Sequence, residues 1–248
     1  LMIDISKSPM EVSPTAHYSM GGILIDAKKH TTKVEGLYAA GEVTGGLHGA
    51  NRLGGNSLAE ILISGKIVGK EASIRSLEMK IQQRSHEIIK KAHDKIDSLI
   101  KDGNEVARPL QRELRNIMWE NCGVVRTEKK LKDGLNRINT IRSSLENLDV
   151  RPDSEGYQDL MLAFDLEGSI MSAGATILGA IERKESRGAH QRADFVNVMN
   201  DFKRNFTINL VDDTLKVKSK GLKKISKELQ SKIKKTKKIV NYEGMLLE

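Results

Sequence analysis

The sequence predicts an α/β segment, then an all-α helical bundle, then a short β-hairpin with a basic tail. Three observations predict this order. Glycine-rich, strand-length apolar runs fill roughly the first 73 residues. Long charged stretches with apolar residues at helical spacing follow them. "FTINLVDDTLKVKSKG", Phe206 to Gly221, then reads as two strands around Asp212-Asp213 ahead of a lysine run. Boundaries are expected at 1–76, 77–200 and 201–248.

Within the first block, "GILID" (Gly22 to Asp26) and "GLYAAGE" (Gly36 to Glu42) predict a hairpin-like strand pair feeding the polar loop "LHGANRLGGNSL", Leu47 to Leu58. Leu58, Ile61, Leu62, Gly65, Val68, Gly69 and Ala72 then recur at helical spacing, with Glu60, Lys66 and Lys70 off that face. A helix from about Ser57 to Ser73 is expected, capped by Asn56 or Ser57. The next helix should stop at Gly103-Asn104. Another carries Pro109 in its first turn and stops at Gly123, and two more start from Thr127 and Ser154 as N-caps. Four helices with short connections predict an antiparallel bundle. Trp119 and Cys122 share a helix with Leu114 and Met118 and are expected in its core. Met161, Met171 and Met199 are expected to fill gaps.

Composition narrows the function classes. Hydrophobic content of 38% with 30% charged residues describes a folded globular chain. No apolar run approaches the roughly 18–20 residues of a membrane span, and no basic-then-apolar leader opens the sequence. A single cysteine, Cys122, forms no internal disulfide framework and fits a reducing compartment. Six dispersed histidines lack metal-ligand spacing, so no metal is expected. The net charge of +8 is local: residues 216–238 hold eleven lysines against Glu228, which is +10 and leaves the remainder at −2. Without interleaved aromatics or a reading motif, that tail is a solvated amphipathic helix and no nucleic-acid partner is expected. The opening residues show neither an initiator methionine nor a strand with a Gly-rich dinucleotide turn, so the chain is expected to begin in mid-domain.

The loop carries the chemistry. Arg52 offers a planar fork that grips a carboxylate with two hydrogen bonds, and His17 in "SPTAHYSMGG" adds a donor. Gly49, Gly54 and Gly55 let backbone amides approach a ligand, and the helix starting near Ser57 presents open N–H groups. These residues describe an anion site. A glycine- and asparagine-rich turn that merely satisfies its own carbonyls would use the same residue types.

A resemblance decides between these. "PTAHYSMGG", "GLYAAGE" and "HGANRLGGNSL", in this order and spacing, resemble the FAD-binding family of succinate dehydrogenase and fumarate reductase flavoprotein subunits. "LQRELRNIMWENCGVVRTEKKLKDGL" and "RKESRGAHQRADF" resemble the family's helical C-terminal domain, so the resemblance runs from about Pro14 to Phe195. L-aspartate oxidase has a similar HGANR loop but usually has small residues such as Ala-Ser where Gly54-Gly55 stand, which favours the dicarboxylate branch. The resemblance implies FAD as cofactor, His17 and Arg52 as substrate-carboxylate contacts, and Glu42, Ser57 and Leu58 as FAD contacts. It also implies succinate–fumarate interconversion, an iron–sulfur partner subunit, membrane-anchor subunits, and a cytoplasmic place at the inner face of the membrane through those partners.

No residue here matches the family's proton-transferring arginine, the Gly-rich phosphate turn or the FAD-tethering histidine. No catalytic residue is therefore assigned, and the chain is expected to be a C-terminal fragment, inactive alone, whose N-terminal piece exposes apolar surface. His48 is expected to shape the loop or contact flavin. Arg187, His190 and Arg192 are expected to pack or hold a domain interface. Arg126 and Glu128 either bridge the bundle to the flavin domain or form a surface pair. "TINLVDDTLKVKSK" departs from the aromatic-ended C-terminus common in the family, which leaves the partner and a thiol or other electron donor open. L-aspartate oxidase and a non-catalytic helical interaction module are the alternative functions.

Overall fold

The computed structural model describes residues 4, 6–11, 16–80, 85–152, 157–222 and 224–232. It has two compact units, Leu1–Val198 and Met199–Glu248. In the first, helices α1 (Asn56–Glu78), α2 (His86–Leu99), α3 (Ala107–Cys122), α4 (Glu128–Ser144) and α5 (Gln158–Glu182) follow one another. Strands β1 (Val125–Arg126) and β2 (Gln191–Arg192) pair in parallel. The second unit holds β3 (Arg204–Val211) and β4 (Thr214–Gly221).

The core sits among α3, α4 and α5, which pack on one another pairwise. Leu114 and Ile117 on α3, Leu131 and Ile138 on α4, and Leu166 and Ile177 on α5 are all at most 4% exposed. Each such side chain contributes roughly 1.5–3 kcal/mol on burial. The sequence signals for these helices hold. Thr127 caps α4 by accepting from the Lys130 N–H at 3.3 Å, Pro109 lies in the first turn of α3, and Gly123 is its C-cap. The Ser154 cap falls outside the described residues.

Four expectations need correction. Three helices, not four, form the bundle core, because α2 buries none of its residues. It reaches α5 through Lys95, whose Nζ lies 2.9 Å from Glu167 Oε2. α2 also ends before Gly103-Asn104, because the chain after Leu99 pairs with residues 147–150 instead. Val150 N–H donates to the Lys101 carbonyl at 2.9 Å and Asn104 N–H to the Asn147 carbonyl at 3.1 Å. Trp119 is 64% exposed, Met161 61% and Met171 37%, because on α3 and α5 their side chains point away from the seam between those helices; Met199, in the second unit, is also exposed, and Cys122 is buried as expected. Finally, α5 is long and apolar enough to cross a bilayer by length and composition, at a mean hydropathy of 1.2. Its Ala163, Leu166, Ile170 and Ile177 instead line the bundle core.

The N-terminal region departs from its predicted strand pair. Ile23 makes one parallel bridge to Thr44 and Thr31 one antiparallel bridge to Tyr38, with no ladder extending from either. A strand needs a continuous neighbour for its backbone groups, and each run here finds only a single paired position. α1 starts at Asn56, and its N-cap is Gly55, in the left-handed region at φ 81°, with no side chain bonded to the helix end. Asn56 and Ser57 therefore lie inside the helix instead of capping it. Glu60, predicted off the apolar face, is buried at 6% exposure, while Leu58 and Leu62 stand 68% and 74% exposed.

The hairpin of the second unit forms as predicted. β3 and β4 pair antiparallel from Arg204↔Gly221 to Val211↔Thr214. The two-residue turn, Asp212-Asp213, has positive φ at both positions (48° and 56°), which matches the right-handed twist of the strands. The expectation of one amphipathic helix through the lysine run from 216 onward is corrected: Lys216, Lys218 and Lys220 lie in β4 because they pair with β3. A short helical turn follows only at 227–232, and the tail beyond 232 lies outside the described residues.

Candidate functional site

The structure brings His17 and Arg52 together. Arg52 Nη2 lies 3.0 Å from His17 Nε2, and since a guanidinium can only donate, the imidazole nitrogen accepts. Arg52 Nη1 also donates to the Leu53 carbonyl at 3.4 Å, and its Cζ stacks 4.6 Å from the centre of the Tyr18 ring. Its Nε is buried with no protein acceptor. The buried Nε–H is thus left without a protein acceptor beside a histidine, next to the start of α1.

Tyr18 organises this corner. Its hydroxyl pairs with His48 Nε2 at 3.1 Å, and the two rings meet edge to face at 5.4 Å. His48 therefore shapes the loop from behind, one of its two expected roles. Burial together with Glu60 and Glu42 pushes the Tyr18 phenol above its ordinary range, against the pull of Arg52, so the hydroxyl keeps its proton.

Glu42 and Glu60 tie the flanking segments down. Glu42 Oε1 accepts from the Ser19 N–H at 2.8 Å, fixing the stretch that carries His17. Glu60 Oε1 accepts from the Gly41 N–H at 3.2 Å, joining α1 to the short 3-10 turn Gly41–Val43. Neither Tyr18 nor Glu60 was selected from the sequence. The first adjoins His17 in "HYSMGG", and the second is an acid one turn into an apolar helix, which in hindsight is a signal for a buried backbone acceptor.

Ser57 and Leu58 lie in the first turn of α1, where helix amides have no carbonyl four residues back to bond. With no side-chain cap, these N–H groups and the positive end of the helix dipole remain available to an anion. This donor set fits the electron-rich edge of a flavin. Glu42 offers a carboxylate to hydroxyl or amide donors nearby.

Behind the loop, the segment after α5 reaches back to it. Ala189 N–H donates to the Ala50 carbonyl at 3.0 Å. Arg187 forks onto the fully buried Glu185 through Nε and Nη2 at 2.8 and 2.9 Å, and Arg183 adds a 2.6 Å bond. His190 Nε2 faces the Arg183 carbonyl at 3.0 Å, so it carries the proton, and Nδ1 accepts from Arg126 Nη1 at 3.0 Å. Burial holds the His190 pKa below its usual value. The fully buried Arg192 forks onto Asp194 at 2.7 and 2.9 Å and donates to the Ala180 carbonyl at 2.8 Å, which holds the Asp194 carboxyl far below the usual carboxylate range. Asp194 Oδ2 also accepts from the Glu128 N–H at the start of α4. Arg187, His190 and Arg192 thus pack the segment after α5 against the bundle, Arg126 bonds to His190 and to the Gly123 carbonyl, and the Glu128 side chain pairs with Lys132 and lies 4.0 Å from Arg192.

A histidine–arginine pair beside an open helix end, linked to a helical bundle, is the arrangement to set beside known families. Residues 2–58 match the FAD binding domain model, and residues 111–236 match the fumarate reductase flavoprotein C-terminal model. The chain belongs to the succinate dehydrogenase and fumarate reductase flavoprotein family. The fumarate reductase (CoM/CoB) of Methanothermobacter marburgensis has a subunit that is 36% identical over 208 residues, which are 84% of this chain and 38% of that protein. The succinate dehydrogenase flavoprotein subunit of Rickettsia conorii is 33% identical over 234 residues, 87% of this chain and 38% of that one. A structure of Escherichia coli quinol fumarate reductase superposes with a TM-score of 0.84 at 30% identity, covering 90% of this chain and 40% of that one. The chain thus spans about two fifths of the length of these relatives.

Proposed function

We propose that this chain is the substrate-gripping and helical part of an FAD-dependent oxidoreductase that interconverts succinate and fumarate. The observation that carries the reading is the 3.0 Å apposition of Arg52 and His17 beside the uncapped start of α1. A dicarboxylate arriving there meets a guanidinium with N–H groups still open on its two terminal nitrogens and an imidazole whose Nδ1–H is a second donor, since Nε2 accepts from Arg52. Tyr18 holds the guanidinium plane, so the fork loses little freedom on binding. Glu42 and the amides of Ser57 and Leu58 would hold FAD. When bound, FAD supplies the two-electron chemistry that removes or adds hydrogen across the carbon–carbon bond.

In this reading residues 1–76 complete the flavin- and substrate-binding domain, 77–200 form the helical domain, and 201–248 are the hairpin and tail. An iron–sulfur partner exchanges electrons with the flavin, and further subunits place the assembly at a membrane surface. The relatives' names differ in the electron donor, CoM/CoB in M. marburgensis and quinol in E. coli, so thiol and quinol donors are the two to compare.

The test is Arg52→Lys in the intact, FAD-loaded protein, assayed with succinate, fumarate and L-aspartate. A point charge cannot reproduce the two-pronged grip, and losing one charge-assisted hydrogen bond costs roughly 10- to 150-fold in dicarboxylate turnover, with flavin content unchanged. Unchanged turnover removes Arg52 from the substrate site. Oxidation of aspartate without succinate turnover would reassign the chain to L-aspartate oxidase.

A further inference from the structure

We infer that the turn Arg187–His190 is a positioning element for Arg52, through which the helical region sets how firmly the substrate loop is held. The inference rests on the dicarboxylate reading of Arg52. The contact is made by backbone: the Ala189 N–H donates to the Ala50 carbonyl at 3.0 Å, two residues before Arg52. Gly188 makes this approach feasible. It sits at φ +58°, and a Cβ there would collide with the Ala50 carbonyl and lie 2.8 Å from the Ala50 Cβ.

The turn itself is rigid. Arg187 and His190 exchange backbone bonds at 2.8 and 3.1 Å, and Gln191 Nε2 donates to the Gly188 carbonyl at 2.9 Å. Its two ends are anchored in the helical region. Arg187 is forked onto the buried Glu185 just past α5, and His190 is tied to Arg126 between α3 and α4. The loop has little to hold it otherwise. Gly49, Ala50, Asn51, Leu53, Gly54 and Gly55 are all exposed, and Arg52 is steadied by one histidine, one ring and a local carbonyl. A loop so rich in glycine keeps a defined shape only where an outside group fixes it. The Ala50 carbonyl is such a point, nearer to Arg52 in sequence than the other, the His48–Tyr18 bond, and displacing it moves the guanidinium relative to His17. Misplacing a binding group by about an ångström is enough to cost up to roughly 100-fold.

The experiment compares Gly188→Ala and Gln191→Ala with the control Gly168→Ala, an exposed helix position with open space around it, in the intact, FAD-loaded protein. Two quantities are read: amide hydrogen exchange of residues 47–55, and the dissociation constant of malonate, a dicarboxylate with no carbon–carbon bond to desaturate. Gly188→Ala is expected to speed loop exchange and weaken malonate about tenfold each, with exchange in α3–α5 unchanged. Gln191→Ala removes only an exposed side-chain bond and should move both quantities the same way by about two- to fivefold. The control should move neither. Should Gly188→Ala fail to fold, Gln191→Ala decides alone. Loop exchange and affinity unchanged in the folded variants would overturn the inference, and so would faster exchange spread through α3–α5, which marks a general loss of structure. A parent protein that binds no malonate, with the exchange response intact, would instead overturn the dicarboxylate reading and leave the clamp standing.

Discussion

The helical region from Ala107 to Glu182 and the N-terminal segment from Ala16 to Lys80 treat their apolar residues in opposite ways. In the first, α3, α4 and α5 turn their leucines and isoleucines onto one another until Leu131, Leu166 and Ile177 have no exposure left. In the second, Leu53, Leu58 and Leu62 stand about two thirds or more exposed, and the best-buried groups of α1 are the acid Glu60 and the hydroxyl of Ser64. The histidine, arginine and open amides that read as chemistry all lie in that second region. The contrast teaches that here the binding groups are aimed by hydrogen bonds and borrowed contacts, while the stability is concentrated elsewhere in the chain.

Mutations can break this division. The largest effect is expected from Arg192→Ala, which empties a fully buried position in the link after α5, leaves the Ala180 carbonyl without its donor and removes the charge-assisted bonds to the partly exposed Asp194; together these losses should cost about 3–5 kcal/mol in urea unfolding. A cost below 1 kcal/mol, on the order of a surface pair, would show that this link carries no stability. Leu166→Ala should cost roughly 2–5 kcal/mol as a cavity in the bundle. Thr127→Ala removes the cap of α4 and should cost about 1 kcal/mol by the same measurement.

A pH titration sharpens the comparison further. His190 is held below its usual pKa, so between the folded and unfolded values the unfolded chain binds the proton more readily, and stability should decline as pH falls below about 6.5. Asp194 is also shifted down, but its contribution is lost only below the ordinary carboxylate range, so a decline between about pH 6.5 and 5 reports on His190. His190→Gln should flatten that part of the profile. The smallest effect belongs to Leu62→Ala, expected within about 0.5 kcal/mol because its side chain is already in solvent. A cost near that of Leu166→Ala would mean that α1 is covered in the folded protein and would erase the contrast.

How much of this was legible in the sequence depends on the range of the interaction. The Thr127 cap, the Gly123 stop and the Asp212-Asp213 turn are decided by a few neighbouring residues, and each appears where the sequence puts it. The pairing of His17 with Arg52 spans 35 residues and was legible only as two members of one motif set. The strand pair failed because strand propensity says nothing about whether a partner ladder is in reach. Trp119 failed because hydrophobic spacing names a helix face without saying which neighbour covers it. The Ala50–Ala189 bond was not legible at all, since two backbone groups leave no side-chain signature, and Gly188 looks like any other glycine until its surroundings are known.

The β3–β4 hairpin has one more consequence. Its register sets Lys216, Lys218 and Lys220 opposite Asn209, Thr207 and Asn205, so the lysines share one face, while Phe206, Ile208, Leu215 and Val217 share the other. A two-stranded sheet has open edges on which another copy of the same hairpin could add as a further strand. In such an association the lysine rows of the copies would come within a few ångströms of each other, and their repulsion would have to be overcome before any new backbone bond forms. Colloidal behaviour should therefore depend on ionic strength. In dilute salt the row keeps molecules apart, and as the screening length shrinks from about 10 Å at 0.1 M to about 3 Å at 1 M, self-association through the open strand edges gains ground.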